Sequence, residues 1–499
     1  MAAREDRVNR ELRRLFLVLA GMLGAVIATG TYWLWRAPDL EARQGNPTQI
    51  VRQITSERGL VLTSDGTTVL ARTRQRDIEG QRWFVRRYPH GPLAAHAVGY
   101  STLERARTGL EASMNELLTG SDANLASLVD RARSRLAGRP QEGNHLVLTL
   151  DAAAQEQAAS LLRGRCGATV ALEPSTGRVL VMASAPAFDP NDVARDFSRI
   201  TTARAACEPA APLVNRATAG LFVPGSTFKV VTAAAALDSG RFRPGSTFID
   251  DGYCIQYGRR VFNYADQDGP ERFGRVTLSK AMERSINAVF CDIGKELDAE
   301  TLIDYAKRFG FYSVPPLETP ETERLASGLY EDGQLFDPQL PTGVDEGRLA
   351  FGQERLLATP LQMAMVAAAI ANGGVLMKPY LVERTLKPDR SMLTETKPEK
   401  LSDAIGPATA AALARMMERV VASGTGRGAR IPGLPVAGKT GTGETAVDGE
   451  NDAWFIAFAP AEAAEVAVAV VISHEPETGG AAAAPIARTM IQTLLRRST

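Results

Sequence analysis

The sequence predicts an α+β fold, an antiparallel sheet packed by helices, standing behind a membrane-spanning helix and a smaller mixed domain. Three observations predict it. Strand-like apolar runs lie at both ends of the region after His145, and helical patterns fill its middle. An uncharged run, Leu15 to Trp35, stands near the N-terminus. Between the two, residues 36–144 mix short extended segments with helical ones.

The N-terminal run reads LFLVLAGMLGAVIATGTYWLW, about 21 residues without a charge. As a helix it crosses roughly 30 Å of hydrocarbon. Arg4, Arg7, Arg10, Arg13 and Arg14 precede it. Basic flanks stay in the cytoplasm, so residues 1–14 read as a cytoplasmic tail and all that follows residue 35 as extracytoplasmic. Tyr32, Trp33 and Trp35 suit the headgroup level. A cleaved signal peptide is the rival reading. Its apolar core is shorter, and its cleavage site needs small residues where this chain has Trp33 to Arg36. The expectation is an uncleaved single-pass anchor in the plasma membrane.

Residues 37–49 read as a polar linker holding Pro38 and Pro47. RGLVLTSDGTTVLART (Arg58 to Thr73) predicts two short strands around a Ser64-Asp65-Gly66 turn. RWFVRRYPHG (Arg82 to Gly91) predicts an extended, arginine-rich piece. TGLEASMNELLTG (Thr108 to Gly120) predicts a helix ending at glycine. No clustered acids, metal-ligand spacing or glycine-rich phosphate loop occurs here. The region 36–144 is therefore expected to be a non-catalytic pedestal or partner-binding module.

The second domain, 145–499, opens with HLVLTLD (His145 to Asp151), a strand leading into the helix Ala152 to Gly164. GATVALEPSTGRVLVMASAP (Gly167 to Pro186) predicts a hairpin around Pro174-Ser175-Thr176-Gly177. Helices are expected over Ser226 to Gly240, Leu278 to Leu297 and Thr359 to Gly374. Three strands follow, Leu434 to Glu444, Ala453 to Pro460 and Val466 to His474, and a closing helix, Ala482 to Arg497.

Composition excludes several functions. Basic and acidic residues number 57 each, so no charge surplus points to nucleic acid. Cys166, Cys207, Cys254 and Cys291 are far apart with no CxxC pair, which argues against a zinc site. They leave both buried thiols and one or two disulfides open, and sequence does not give a pairing. Of the 57 basic residues nine are lysine, and the first in the chain is Lys229.

Lys229 lies in SxxK, Ser226-Thr227-Phe228-Lys229, directly after the turn Pro224-Gly225. Residues three apart share a helix face, so the amine can reach the hydroxyl. A serine hydroxyl is a weak nucleophile until a base takes its proton. None of His90, His96, His145 and His474 sits in a nucleophile-like motif, which gives a Ser-His-Asp triad little support. A lysine serves if burial and positive neighbours lower its pKa. Arginine does not, because it stays protonated. Alone, SxxK also fits a helix-capping serine with a surface lysine. A second scarce lysine stands in Lys439-Thr440-Gly441-Thr442, on the strand starting near Val436. An ammonium and two hydroxyls on a free strand edge suit a peptide ending in a carboxylate. Alone, it also fits an edge strand blunted by lysine. Ser285-Ile286-Asn287 gives SxN, informative only by its order between the other two, since Ser113-Met114-Asn115 matches it too.

The ordered set SxxK, SxN, KTG resembles that of β-lactamases and penicillin-binding proteins. ALEPSTGRVLVMASAPAFDPN (Ala171 to Asn191), NRATAGLFVPGSTFK (Asn215 to Lys229) and FGQERLLATPLQMA (Phe351 to Ala364) extend the likeness to class B penicillin-binding proteins, and most closely to the actinobacterial penicillin-binding protein A group. Glu354 stands where that family often has glycine, and SIN replaces SCN or SSN. The resemblance implies the penicillin-binding-protein and serine β-lactamase-like transpeptidase fold, an antiparallel sheet with helices on both faces plus a helical subdomain. It implies D,D-transpeptidation of peptidoglycan stem peptides ending in D-Ala-D-Ala, and acylation by β-lactams. In that scheme Ser226 is the nucleophile, Lys229 its base, Ser285 with Lys439 the proton relay, and Asn287 an orienting group. The N–H groups of Ser226 and Thr442 form the oxyanion hole, Thr440 and Thr442 hold the carboxylate, and Gly441 lets the ligand backbone approach. No metal or organic cofactor is required, and a membrane-embedded lipid II polymerase is the implied partner. A β-lactam hydrolase shares two motifs but needs no anchor or pedestal. A non-catalytic sensor or division scaffold would not need both lysines. A carboxypeptidase differs only in using water as acceptor. The region before His145 is too short for a glycosyltransferase.

Overall fold

The computed structural model describes residues 2–41, 56–78, 81–102, 105, 107–121, 142–263, 265–266, 269–337, 343–445 and 450–496 of the 499-residue chain. A single helix, α1 (Ala2–Glu41), opens it. Its stretch Arg13–Trp33 is 21 residues long, apolar enough to cross a membrane, and covered by none of the other described residues. Phe16, Leu17 and Val26 are each more than half exposed, a cost in water that hydrocarbon removes. The helix runs through Pro38 to Glu41, over the first residues of the expected linker. Its remainder, 42–49, lies outside the described residues.

The pedestal strands are β1 (Val61–Leu62), β2 (Val69–Ile78) and β3 (Gln81–Arg87). β1 and β2 pair around the predicted turn, where Asp65 accepts hydrogen bonds from Thr63 Oγ1 (2.7 Å) and Thr67 N (2.9 Å). The predicted helix Thr108 to Gly120 is two short pieces, Gly109–Ser113 and Asn115–Thr119, interrupted at Met114. It stops at Gly120, which has φ +64°. Glu111 holds the pedestal core together. It is fully buried and accepts from Arg58 (2.7 Å) and Arg86 (2.5 Å), so two buried cations share one carboxylate.

The elements that position the site follow in order: β4 (His145–Leu148), α2 (Ala152–Leu161), β5 (Cys166–Leu172), β6 (Val179–Ala185), α3 (Lys229–Asp238), α4 (Leu278–Arg284), α5 (Asn287–Leu297), α6 (Pro360–Ala371), β7 (Val382–Leu386), β8 (Met392–Glu395), α7 (Pro407–Ala422), β9 (Ala437–Glu444), β10 (Asn451–Ala459), β11 (Val466–Glu475) and α8 (Gly479–Leu495). One six-stranded sheet has the order β8-β7-β4-β1-β2-β3. β4 lies parallel to β1 and antiparallel to β7, so this sheet crosses the expected boundary at 144/145.

The main sheet is antiparallel, in the order β9-β10-β11-β5-β6. Side chains alternate across a strand, and here both faces are covered. Trp454, Ile456 and Phe458 join the core that contains α3 and α6. Phe455, Ala457 and Ala459 join the core that contains α2 and α8. All six are at zero exposure, which is why β10 reads as a continuous apolar run rather than an alternating one. Fully burying a side chain of phenylalanine or isoleucine size contributes about 1.5–3 kcal/mol. α6 is buried around its whole circumference, and its one polar side chain, Gln362, donates to Phe309 O (2.7 Å). Thr359 caps it by accepting from Gln362 N (3.2 Å), with Pro360 in the first turn.

The cysteines are not free thiols. Disulfides join Cys166 to Cys207 and Cys254 to Cys291. The first ties the irregular segment around Cys207 to β5, and the second anchors the strand Tyr253–Gln256 to α5.

Candidate active site

Ser226 lies in a 3-10 turn, Gly225–Thr227, that runs through Phe228 into α3. Thr227 Oγ1 donates to Pro224 O (2.7 Å) and closes the turn. Gly225 has φ +50°, and a Cβ there would sit 2.5 Å from the Thr442 carbonyl oxygen. Only glycine lets β9 approach the turn so closely. One turn beyond Ser226, Lys229 is completely buried.

The stretch Leu278 to Leu297 is not the single helix that its sequence predicts. It breaks at Ser285-Ile286, between α4 and α5, and Ser285 takes the left-handed conformation at φ +59°. Such a conformation costs a non-glycine residue about 1–2 kcal/mol. The break turns both oxygens of Ser285 toward Lys229. Lys229 Nζ donates to Ser285 O (2.6 Å), Ser285 Oγ (3.3 Å) and Asn287 Oδ1 (2.7 Å). From β9, Lys439 Nζ donates to the same Ser285 Oγ (2.8 Å) and to Thr440 O (3.0 Å).

Two amines therefore meet at one hydroxyl, and both are at zero exposure. Burial, and then the nearby Lys439, hold the Lys229 amine well below the ordinary lysine range. Burial lowers Lys439 to about 7. The rings of Phe290 and Phe351 lie 5.3 Å and 6.0 Å from the Lys229 nitrogen, which completes an apolar wall.

Of the residues singled out from sequence, Lys229, Ser285, Asn287 and Lys439 are joined by hydrogen bonds. Ser226 adjoins them through one turn of helix. Gly441 packs against the nucleophile turn, since a Cβ there would lie 2.6 Å from Pro224 O. Thr442 is partly exposed beside it, and Thr440 shares a hydroxyl hydrogen bond with Thr425 (2.7 Å). One expectation is corrected. Lys439 is not an open ammonium on a strand edge, because its nitrogen is enclosed and committed to Ser285 and Thr440.

Sequence reasoning missed three supports. Asp452 Oδ2 accepts from Val223 N (2.9 Å), and Trp454 Nε1 donates to Val223 O (2.9 Å). Together they clamp the peptide groups three residues before Ser226. Burial raises the Asp452 carboxyl to about 7. A lone acid at the head of an apolar strand was the available signal. Gly352 O accepts from Gly225 N (3.0 Å), and Thr425 meets Thr440 from a loop that carries no motif. Among the described residues no group of three or more His, Cys, Asp or Glu side chains is placed to hold a metal ion.

With this geometry, comparison with known proteins is decisive. The penicillin-binding protein transpeptidase domain model matches residues 167–492, and the penicillin-binding protein A dimerisation domain model matches 58–146. The chain belongs to the penicillin-binding transpeptidase family. It is 33% identical over 516 residues to peptidoglycan D,D-transpeptidase PbpA of Mycolicibacterium smegmatis, covering 99% of this chain and 100% of that protein. Against PbpA of Mycobacterium tuberculosis (strain H37Rv) the identity is 32%, covering 98% and 99%. The imipenem acyl-enzyme complex of penicillin-binding protein A from M. tuberculosis superposes with a TM-score of 0.78 at 32% identity, covering 88% of this chain and 99% of that one. The D,D-transpeptidase domain structure from Eggerthella lenta gives a TM-score of 0.75 at 34% identity, covering 89% and 99%.

Proposed function

We propose that the chain is a peptidoglycan D,D-transpeptidase that cross-links stem peptides through an acyl-enzyme on Ser226 and is acylated there by β-lactams. One observation carries the reading: two buried lysine amines converge on the Ser285 hydroxyl, and one of them, Lys229, stands one helical turn beyond Ser226. A buried amine held well below the ordinary lysine range is a competent base. Ser226 Oγ attacks the penultimate D-Ala carbonyl and gives its proton to Lys229. Ser285, bonded to both lysines, passes a proton to the departing D-Ala amine. Asn287 fixes the Lys229 nitrogen. An amine of a second stem then takes the acyl group and restores Ser226. The N–H groups of Ser226 and Thr442 stabilise the oxyanion, a contribution of about 10²–10³ in rate per donor. Thr442, with Thr440, holds the terminal carboxylate, and Gly441 keeps the strand close to the turn.

The same proposal covers the layout: a cytoplasmic tail, 1–14, a membrane helix, 15–35, an extracytoplasmic pedestal, 36–144, and a transpeptidase domain, 145–499. A membrane-embedded lipid II polymerase is the proposed partner. The test supplies a D-Ala-D-Ala stem peptide with an amine acceptor and measures D-Ala release and cross-linked product. Cross-linking that depends on Ser226 supports the reading. Rapid turnover of penicillin would make the chain a hydrolase, and absence of any adduct would make it a scaffold.

A further inference from the structure

The pedestal carries a second concave region, far in sequence from the catalytic motifs. Beyond Arg72, β2 pairs only with β3, and β3 ends the six-stranded sheet. Among the described residues this two-stranded ribbon has no third strand, and such ribbons are marginal in water on their own. Arg72, Arg74 and Arg76 alternate along β2 and share one face, with Arg87 directly across from Arg72. Arg195, from the short helix Asp192–Arg195 of the other domain, closes the same cleft of about 330 Å³. Like charges opposite one another weaken a sheet. None of these five arginines forms an ion pair with a described carboxylate, although the chain as a whole is neutral. Arg72 Nε is buried with no hydrogen-bond partner. Arg87 is held below arginine's ordinary value by burial and then by Arg76, Arg195 and Arg74. Among the described residues the charge is concentrated and unanswered.

A second cavity, about 210 Å³, runs along β3 beside this cleft. Trp83, Phe84 and Val85 line it, facing Pro190 and Ala194. An open strand edge gives main-chain hydrogen bonds, an apolar trough gives contact area, and an adjoining arginine row gives charge selection. That is the combination strand addition uses.

We infer that the β2–β3 ribbon is a docking site for an acidic, extended segment of a partner protein, which adds to the edge of β3 and sets its carboxylates against Arg72, Arg74, Arg76, Arg87 and Arg195. A second copy of this chain is the poorer fit, because a two-fold contact through this patch would set arginines against arginines. The inference does not depend on the catalytic reading.

The test uses the full chain in detergent and a fluorescein-labelled decapeptide of alternating glutamate and valine, with a lysine-for-glutamate peptide as control. The glutamate peptide should bind by anisotropy and the lysine peptide should not. Arg74→Glu combined with Arg76→Glu should weaken binding at least tenfold, while penicillin labelling of Ser226 is unchanged. Both side chains are exposed, so the variant should fold. Bound peptide should slow amide hydrogen exchange across Gln81–Arg87. Absence of binding, or equal binding by the variant, would overturn the inference. Binding without slowed exchange would remove the strand-addition claim. Preferential binding of phosphatidylglycerol vesicles would make this a membrane surface, and charge-dependent self-association would make it a homodimer face.

Discussion

Replacing Lys229 by arginine separates a charge from a base at a fully buried position. Arginine keeps the cation but does not release its proton. Lysine has an ordinary pKa of about 10.4 and is a cation near pH 7 unless its surroundings disfavour the charge. The structure disfavours the charge through complete burial and then through the second amine, Lys439, at the shared Ser285 hydroxyl. General-base catalysis is worth about 10²–10⁴ in rate, so Lys229→Arg should slow acylation by that factor. Lys229→Met, which also lacks a base, should fall as far. The assay is the second-order rate of fluorescent-penicillin labelling, with thermal melts to show that each variant is folded. Because the neutral amine is the active form, the wild-type rate should rise with pH and level off well below the ordinary lysine range. Above the pH where the rate levels off the unfolded chain still binds the proton that the folded Lys229 lacks, so stability should rise with pH from there to the ordinary lysine value of about 10.4. Acylation by folded Lys229→Arg within about threefold of wild type would refute the reasoning.

Glu111→Ala should be the most damaging pedestal change. It leaves Arg58 and Arg86 buried without their carboxylate, a loss of about 3–5 kcal/mol visible as a lower melting temperature. Asp452→Asn should invert a pH trend. With its carboxyl raised to about 7, the folded wild type binds a proton that the unfolded chain has released. Its contribution is full below about pH 4 and lost as pH rises through 7, so the melting temperature of the variant relative to wild type should climb from pH 5 to 8. Thr425→Val leaves the Thr440 hydroxyl without its partner (2.7 Å). It should slow acylation by an amount corresponding to about 1 kcal/mol, with little change in melting temperature.

The main sheet was legible because β9, β10, β11 and the β5–β6 hairpin each carry strong strand patterns bounded by turns. The catalytic lysines were legible because lysine is scarce and both sit in spaced motifs. What stayed hidden depends on conformation rather than composition. Ser285 reads as mid-helix because its neighbours are good helix formers, and its left-handed backbone is imposed by the packing of α4 and α5. The enclosure of Lys439 depends on α7, the Ser285 break and the nucleophile turn closing over β9, contacts remote in sequence. The same holds for the Asp452 and Trp454 clamp on Val223, which joins residues more than two hundred positions apart. Cysteine spacing could not decide between thiols and disulfides, because pairing is set by how the chain brings Cys166 to Cys207 and Cys254 to Cys291. The pedestal strands were found, but not that β4 would join them to β7.

The most direct test of the central claim is intact-mass analysis after exposure to penicillin G, followed by peptide mapping. The account predicts one added penicilloyl group on Ser226 and none in Ser226→Ala. An adduct on another serine, or unmodified wild type after prolonged exposure, would contradict it.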